Sequence, residues 1–166
     1  MTKDTLISVL REIGEFFGKL LMLAAAWFLI EVLAVFLLAP QEYSCLAFGA
    51  LWSVLLAAVT MLLPRLWGRI FFGISYFISL LWMLAQTGYC RVFGRMMWIS
   101  DVFYAGEGAG FLDDVLGAFP LLWWLGGVVL IGIGVVVIWK FPKPQANALV
   151  RIPYGLLAAI CVAGLY

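Results

Sequence analysis

The 166-residue chain has no histidine, and only 11% of its residues are charged. The first absence removes the commonest metal ligand and the commonest general base near neutral pH. The second leaves less than half of the roughly 25% charge usual in soluble domains. Cysteine is scarce too. Cys45, Cys90 and Cys161 are far apart and lack the spacing of a zinc site or a disulfide framework. No phosphate-binding loop, nucleophile triad or metal-binding motif occurs, so no catalytic residue and no metal ligand is expected in this chain. An excess of one charge is also missing. Ten basic against nine acidic residues leave a net charge of +1, so no bulk field points to a polyanion and no nucleic-acid partner is expected.

What is present is apolar. Hydrophobic residues make up 66% of the chain, against roughly 45–50% in an ordinary soluble domain, and the mean hydropathy is +1.13. A domain of this size still exposes much of its surface, so this composition excludes a soluble enzyme and a disordered segment. Lipid is the expected solvent. Crossing a hydrocarbon core about 30 Å thick takes about 20 apolar residues as helix. Five stretches read as spans: 20–39, 45–63, 70–86, 119–139 and 152–166. Pro40 and Pro64 close the first two, and Pro120 falls in a first-turn position, where its missing N–H costs little. Strand-period alternation is absent, and helices satisfy their own backbone groups in lipid. The expected fold class is all-α integral membrane, with five transmembrane helices flanked by interfacial amphipathic helices.

Charge sets the expected orientation. Lys3, Arg11, Lys19, Arg65, Arg69, Lys140, Lys143 and Arg151 fall on one side of such a bundle, leaving only Arg91 and Arg95 on the other. The positive-inside rule then puts the N-terminus in the cytoplasm and the end of the fifth span outside. That last stretch of fifteen residues reaches only about 22 Å as helix. The expectation is a piece of a longer polypeptide that continues outside the membrane.

Two segments read as amphipathic. Residues 1–19 form a cytoplasmic lead-in, with Leu6, Leu10, Ile13, Phe17 and Leu20 on one helical face. Arg11, Glu15 and Lys19 are spaced four apart on the polar face. Residues 87–118 form an outer interfacial segment. There Phe111, Leu112, Val115, Leu116 and Phe119 share a face, and Asp113 and Asp114 turn away from it.

Within this frame a few residues are candidates for chemistry. Glu31 is the single ionisable residue deep in a span, eleven residues into the first stretch and near the bilayer middle. A charge there must face other helices. It reads either as a proton or substrate relay or as an intramembrane polar anchor, with Ser53, Thr60, Ser75, Tyr76 or Ser79 as partners. Arg91 and Arg95, four apart on one helical face beside Tyr89, Phe93 and Trp98, suit contact with lipid phosphate headgroups. Asp101, Glu107, Asp113 and Asp114 supply acid on the same side, able to pair with the arginines or to touch a partner domain. Gly126, Gly127, Gly132 and Gly134 read as a small-residue packing face. Trp67, Trp98, Trp123, Trp124 and Trp139 read as interface residues, while Trp27, Trp52 and Trp82 read as packed between helices.

The run Tyr89-Cys90-Arg91-Val92-Phe93-Gly94, followed by Ser100-Asp101, Ala105-Gly106-Glu107, Val115-Leu116 and a fresh apolar span, resembles the membrane region of the lipoteichoic acid synthase family over residues 66–139. The resemblance implies a bacterial cytoplasmic-membrane protein whose five helices precede an extracytoplasmic domain of the sulfatase superfamily. That domain, absent from this chain, would carry a threonine nucleophile and a divalent metal, manganese or magnesium, and would transfer phosphoglycerol from phosphatidylglycerol. This chain would then be inert alone. It would anchor the missing catalytic domain and position an anionic phospholipid through Tyr89, Arg91, Arg95 and Trp98. Phosphoethanolamine transferases share this architecture. A stand-alone small membrane transporter, or a scaffold of an envelope complex, is the alternative.

Overall fold

The computed structural model describes residues 3–38, 44–98, 100–101, 117, 119, 121–142 and 148–165. The described residues form five helices and no strand: α1 (Lys3–Leu38), α2 (Ser44–Leu62), α3 (Arg65–Phe93), α4 (Leu121–Trp139) and α5 (Ala148–Leu165). Glu107, Asp113 and Asp114, with the apolar face proposed for 111–116, lie outside the described residues.

The first helix boundaries follow the breakers, whereas Pro153 lies inside α5. α1 runs unbroken for 36 residues, because nothing in 3–38 removes a backbone donor. The lead-in and the first span are therefore one helix. Pro64, extended at φ −56° and ψ 150°, separates α2 from α3. α3 then continues for 29 residues, well beyond the 70–86 expected. At about 1.5 Å per residue it is some 43 Å long, more than a hydrocarbon core requires.

α1 is central, packing against α2, α3 and α4, while α5 packs mainly against α2. The α1 core stripe is Leu20, Leu23, Ala24, Trp27 and Ile30, the three-and-four spacing of one helical face. Phe17, expected on that face, is exposed. Its neighbour Phe16 instead packs on Tyr154 of α5, with ring centroids 4.3 Å apart. On α3 the buried face is Gly68, Phe72, Tyr76, Leu80, Met83 and Thr87. Phe72 is fully buried, edge-on to Trp27 at 4.7 Å and stacked on Tyr76 at 5.4 Å. Ala57 and Ala58 of α2 are also fully buried; such small side chains allow close helix approach.

The α4 glycines divide by position. A methyl on Gly126 would meet Leu33, and one on Gly134 would meet the Tyr76 ring, whereas Gly127 and Gly132 have open space. Only Gly126 and Gly134, eight residues apart, make the packing face. The Tyr76 hydroxyl donates to the Leu130 carbonyl at 2.7 Å and ties α3 to α4.

The outer faces of the helices are apolar. Leu21, Phe36, Val128, Trp139 and Ile160 are all more than 60% exposed. Two helices are long and apolar enough to cross a membrane: α1 over Gly14–Leu37 and α3 over Arg65–Phe93. Leu46–Leu62, Trp123–Trp139 and Ile152–Gly164 are shorter apolar helical segments.

Candidate functional site

The first site is the corner at the end of α3. Gly94 ends the helix in the left-handed region at φ 68°, with its N–H donating to Cys90 O at 2.8 Å. A side chain would be strained there. Gln86 then holds the departing chain with both ends of its amide. Its Nε2 donates to Met97 O at 3.0 Å, and its Oε1 accepts from Met97 N at 2.9 Å. Because Gly94 turns the chain, Arg95 lies beyond the helix. Arg91 and Arg95 therefore do not share a helical face, which corrects the expectation drawn from their spacing.

Their roles separate accordingly. The Arg95 guanidinium donates to both Asp101 oxygens, at 2.9 and 3.3 Å, and to the Tyr89 hydroxyl at 2.7 Å. It also lies 5.2 Å from the Tyr89 ring centre. Asp101 closes the loop by accepting from Trp98 N at 2.9 Å. The hydrogen bond from Arg95, then that from Trp98 N, holds the Asp101 carboxyl below its ordinary range; the Arg95 guanidinium is pushed up, first by its bond to Asp101. Of the four acidic residues expected to meet the arginines, Asp101 does so. Tyr89 and Arg95, expected to contact lipid headgroups, also build this corner. Trp98 stays largely exposed beside it.

Arg91 remains within α3 and forms no ion pair among the described residues. It lines a cleft of about 110 Å³ with Leu37, Thr87, Cys90, Phe119 and Trp123. Trp123, expected at the interface, is buried and donates from Nε1 to Thr87 Oγ1 at 3.0 Å. Phe119 stacks on it at 3.8 Å.

The second site is a larger cleft of about 420 Å³ between α1, α2 and α3. Glu31 lines it together with Trp27, Trp52, Ser53, Ser79 and Trp82. Gly49 makes room for the acid, since a methyl there would lie 3.0 Å from Glu31 Cγ. The α1 span Gly14–Leu37 brings Glu31 six residues, about 9 Å, from its far end, not to its middle. Most hydroxyls considered as its partners bond elsewhere. Ser53, Thr60 and Ser75 donate to carbonyls one turn back, and Tyr76 to Leu130. Only Ser53 and Ser79 share the cleft with Glu31. Trp52 and Trp82, expected to be packed away, are about 45% exposed at its mouth, while Trp27 is buried. The indole N–H of Trp27 finds no acceptor among the described residues.

The sequence reading missed Gln86 as the corner's clamp and Thr87 as the Trp123 acceptor. Each is a lone polar residue in an apolar run, which was the available signal. Compared with protein-family models, curated proteins and solved structures, the chain matches none.

Proposed function

We propose that the chain is a five-helix membrane domain of a bacterial cytoplasmic membrane, with its N-terminus inside and the α3 corner and the end of α5 outside. In this reading it anchors a catalytic domain outside the membrane and offers an anionic phospholipid a docking point, the role implied by its resemblance to lipoteichoic acid synthase-type phosphoglycerol transferases. The observation that carries the reading is the apolar outer face of the bundle, exposed on every helix, together with eight of ten basic residues on one side. α2, α4 and α5 are then spans completed by interfacial residues or a locally thinner bilayer.

The lipid contact belongs to Arg91. Arg95 is committed to Asp101 and Tyr89, whereas Arg91 borders an aromatic cleft without an ion-pair partner among the described residues. An arginine there can hold a phosphodiester through two parallel hydrogen bonds. The full chain in nanodiscs should retain phosphatidylglycerol over phosphatidylcholine in native mass spectrometry. Arg91→Ala should weaken that preference by about tenfold, the worth of one charge-assisted pair, and Arg91→Lys should do so less. Equal retention of the two lipids, unchanged in Arg91→Ala, would overturn the lipid-docking role.

A further inference from the structure

The cleft around Glu31 is not used by this reading, and its chemistry is of the opposite sign. We propose that it is a binding site for an organic ammonium group carried on an apolar tail. Three observations converge on that ligand. First, the acid is present without a counter-charge. The ion pairs among the described residues are Arg11–Glu15, Lys19–Glu15 and Arg95–Asp101, and none involves Glu31. A carboxylate at this depth is stable only with a cation beside it or a proton on it.

Second, two of the polar side chains beside the acid already spend a proton elsewhere. The Ser53 hydroxyl donates to Gly49 O at 2.7 Å, and the Gln86 amide to Met97 O at 3.0 Å. Both face the same cleft as Glu31. No described side chain donates to the Glu31 carboxyl, and the Trp27 indole N–H on the same cleft is itself unpaired, so the acid's hydrogen-bonding capacity is open to a ligand. An anion would find no free cation among these residues.

Third, the remaining wall is aromatic. Trp27, Trp52, Trp82 and Phe48 line the cleft, and all but Trp27 are 44–60% exposed at its mouth. Ring faces around a carboxylate attract ammonium groups, quaternary ones included, through the ring quadrupole. Because Phe48, Trp52 and Trp82 are exposed, an apolar tail can lie along them while the head enters the cleft. At about 420 Å³ the cleft holds a trimethylammonium or ethanolammonium head with room for the first carbons of a chain. Gly49 is the positioning residue, because its lack of a side chain lets the Glu31 stem lie against α2.

The site is independent of the phosphoglycerol transferase reading, and its test separates the two. The full chain in phosphatidylglycerol nanodiscs is titrated calorimetrically with hexyltrimethylammonium, with hexanesulfonate as the anionic counterpart. The expected result is saturable binding of the cation alone. Glu31→Gln should weaken it about tenfold or more, and Trp82→Leu several-fold. Both variants are checked for unchanged helicity, and Glu31→Gln is nearly isosteric. Repeating the titration with phosphatidylethanolamine added distinguishes the sources: competition assigns the site to a lipid headgroup, and its absence to a free amphiphile. Binding of the two ions to equal extent, or cation binding unaltered in both Glu31→Gln and Trp82→Leu, overturns the proposal. Neither outcome touches Arg91.

Discussion

Phe72→Ala should cost about 3–5 kcal/mol of fold stability, the range for removing a fully enclosed aromatic ring. Phe72 has no exposed surface, and its ring meets Trp27, Tyr76 and Phe141 at centroid distances of 4.7, 5.4 and 6.3 Å. Three elements thus share one side chain: α1, α3 and the turn after α4. Removing it takes away the ring on which Trp27, Tyr76 and Phe141 all pack. Phe77, on the opposite face of α3, is 58% exposed. Phe77→Ala should change stability by no more than about 0.5 kcal/mol. Reversible unfolding in mixed micelles compares the two. Equal losses would mean that α3 does not present the Phe72 face to the core.

The second large effect is expected on α4. A methyl at Gly134 would lie 2.5 Å from Cε1 and 2.9 Å from Cδ1 of Tyr76. That ring cannot swing aside freely. It is buried, it stacks on Phe72, and its hydroxyl is fixed on Leu130 O at 2.7 Å. Gly134→Ala should therefore destabilise by about 1–3 kcal/mol, the cost of overpacking, with loss of the Tyr76 hydrogen bond as α4 retreats. Gly132 is the control, since nothing lies within 4 Å of a methyl there. Gly132→Ala should be neutral or stabilising by up to about 1 kcal/mol, because alanine is the better helix former. The same unfolding assay reads both, and a harmless Gly134→Ala would show that α3 and α4 are not in close contact.

These contrasts show what the sequence could and could not reveal. The five helices were legible because apolar runs of sufficient length are separated by prolines, and Pro64 marks the α2–α3 boundary. The junction between the lead-in and the first span is not a helix boundary, because a polar-to-apolar shift in composition does not break a helix that contains no breaker. Spacing alone grouped Arg91 with Arg95. Gly94, lying between the two arginines, decides otherwise by ending the helix before Arg95. Tryptophans sorted least well. An indole suits both an interface and a core, so Trp123 turned out buried and Trp52 exposed. The position of Glu31 in a polar-aromatic cleft required knowing which faces of α2 and α3 meet α1, and no local pattern carries that.

In the proposed topology the bundle crosses a membrane with the α3 corner outside and the turn after α4 inside. Single cysteines at two exposed positions, Trp98→Cys and Lys140→Cys in a background without native cysteines, can be labelled on intact cells with a membrane-impermeant maleimide. The account predicts that Trp98→Cys reacts at once and that Lys140→Cys reacts only after the membrane is opened. Reaction of Lys140→Cys on intact cells, or identical behaviour of the two, would contradict it.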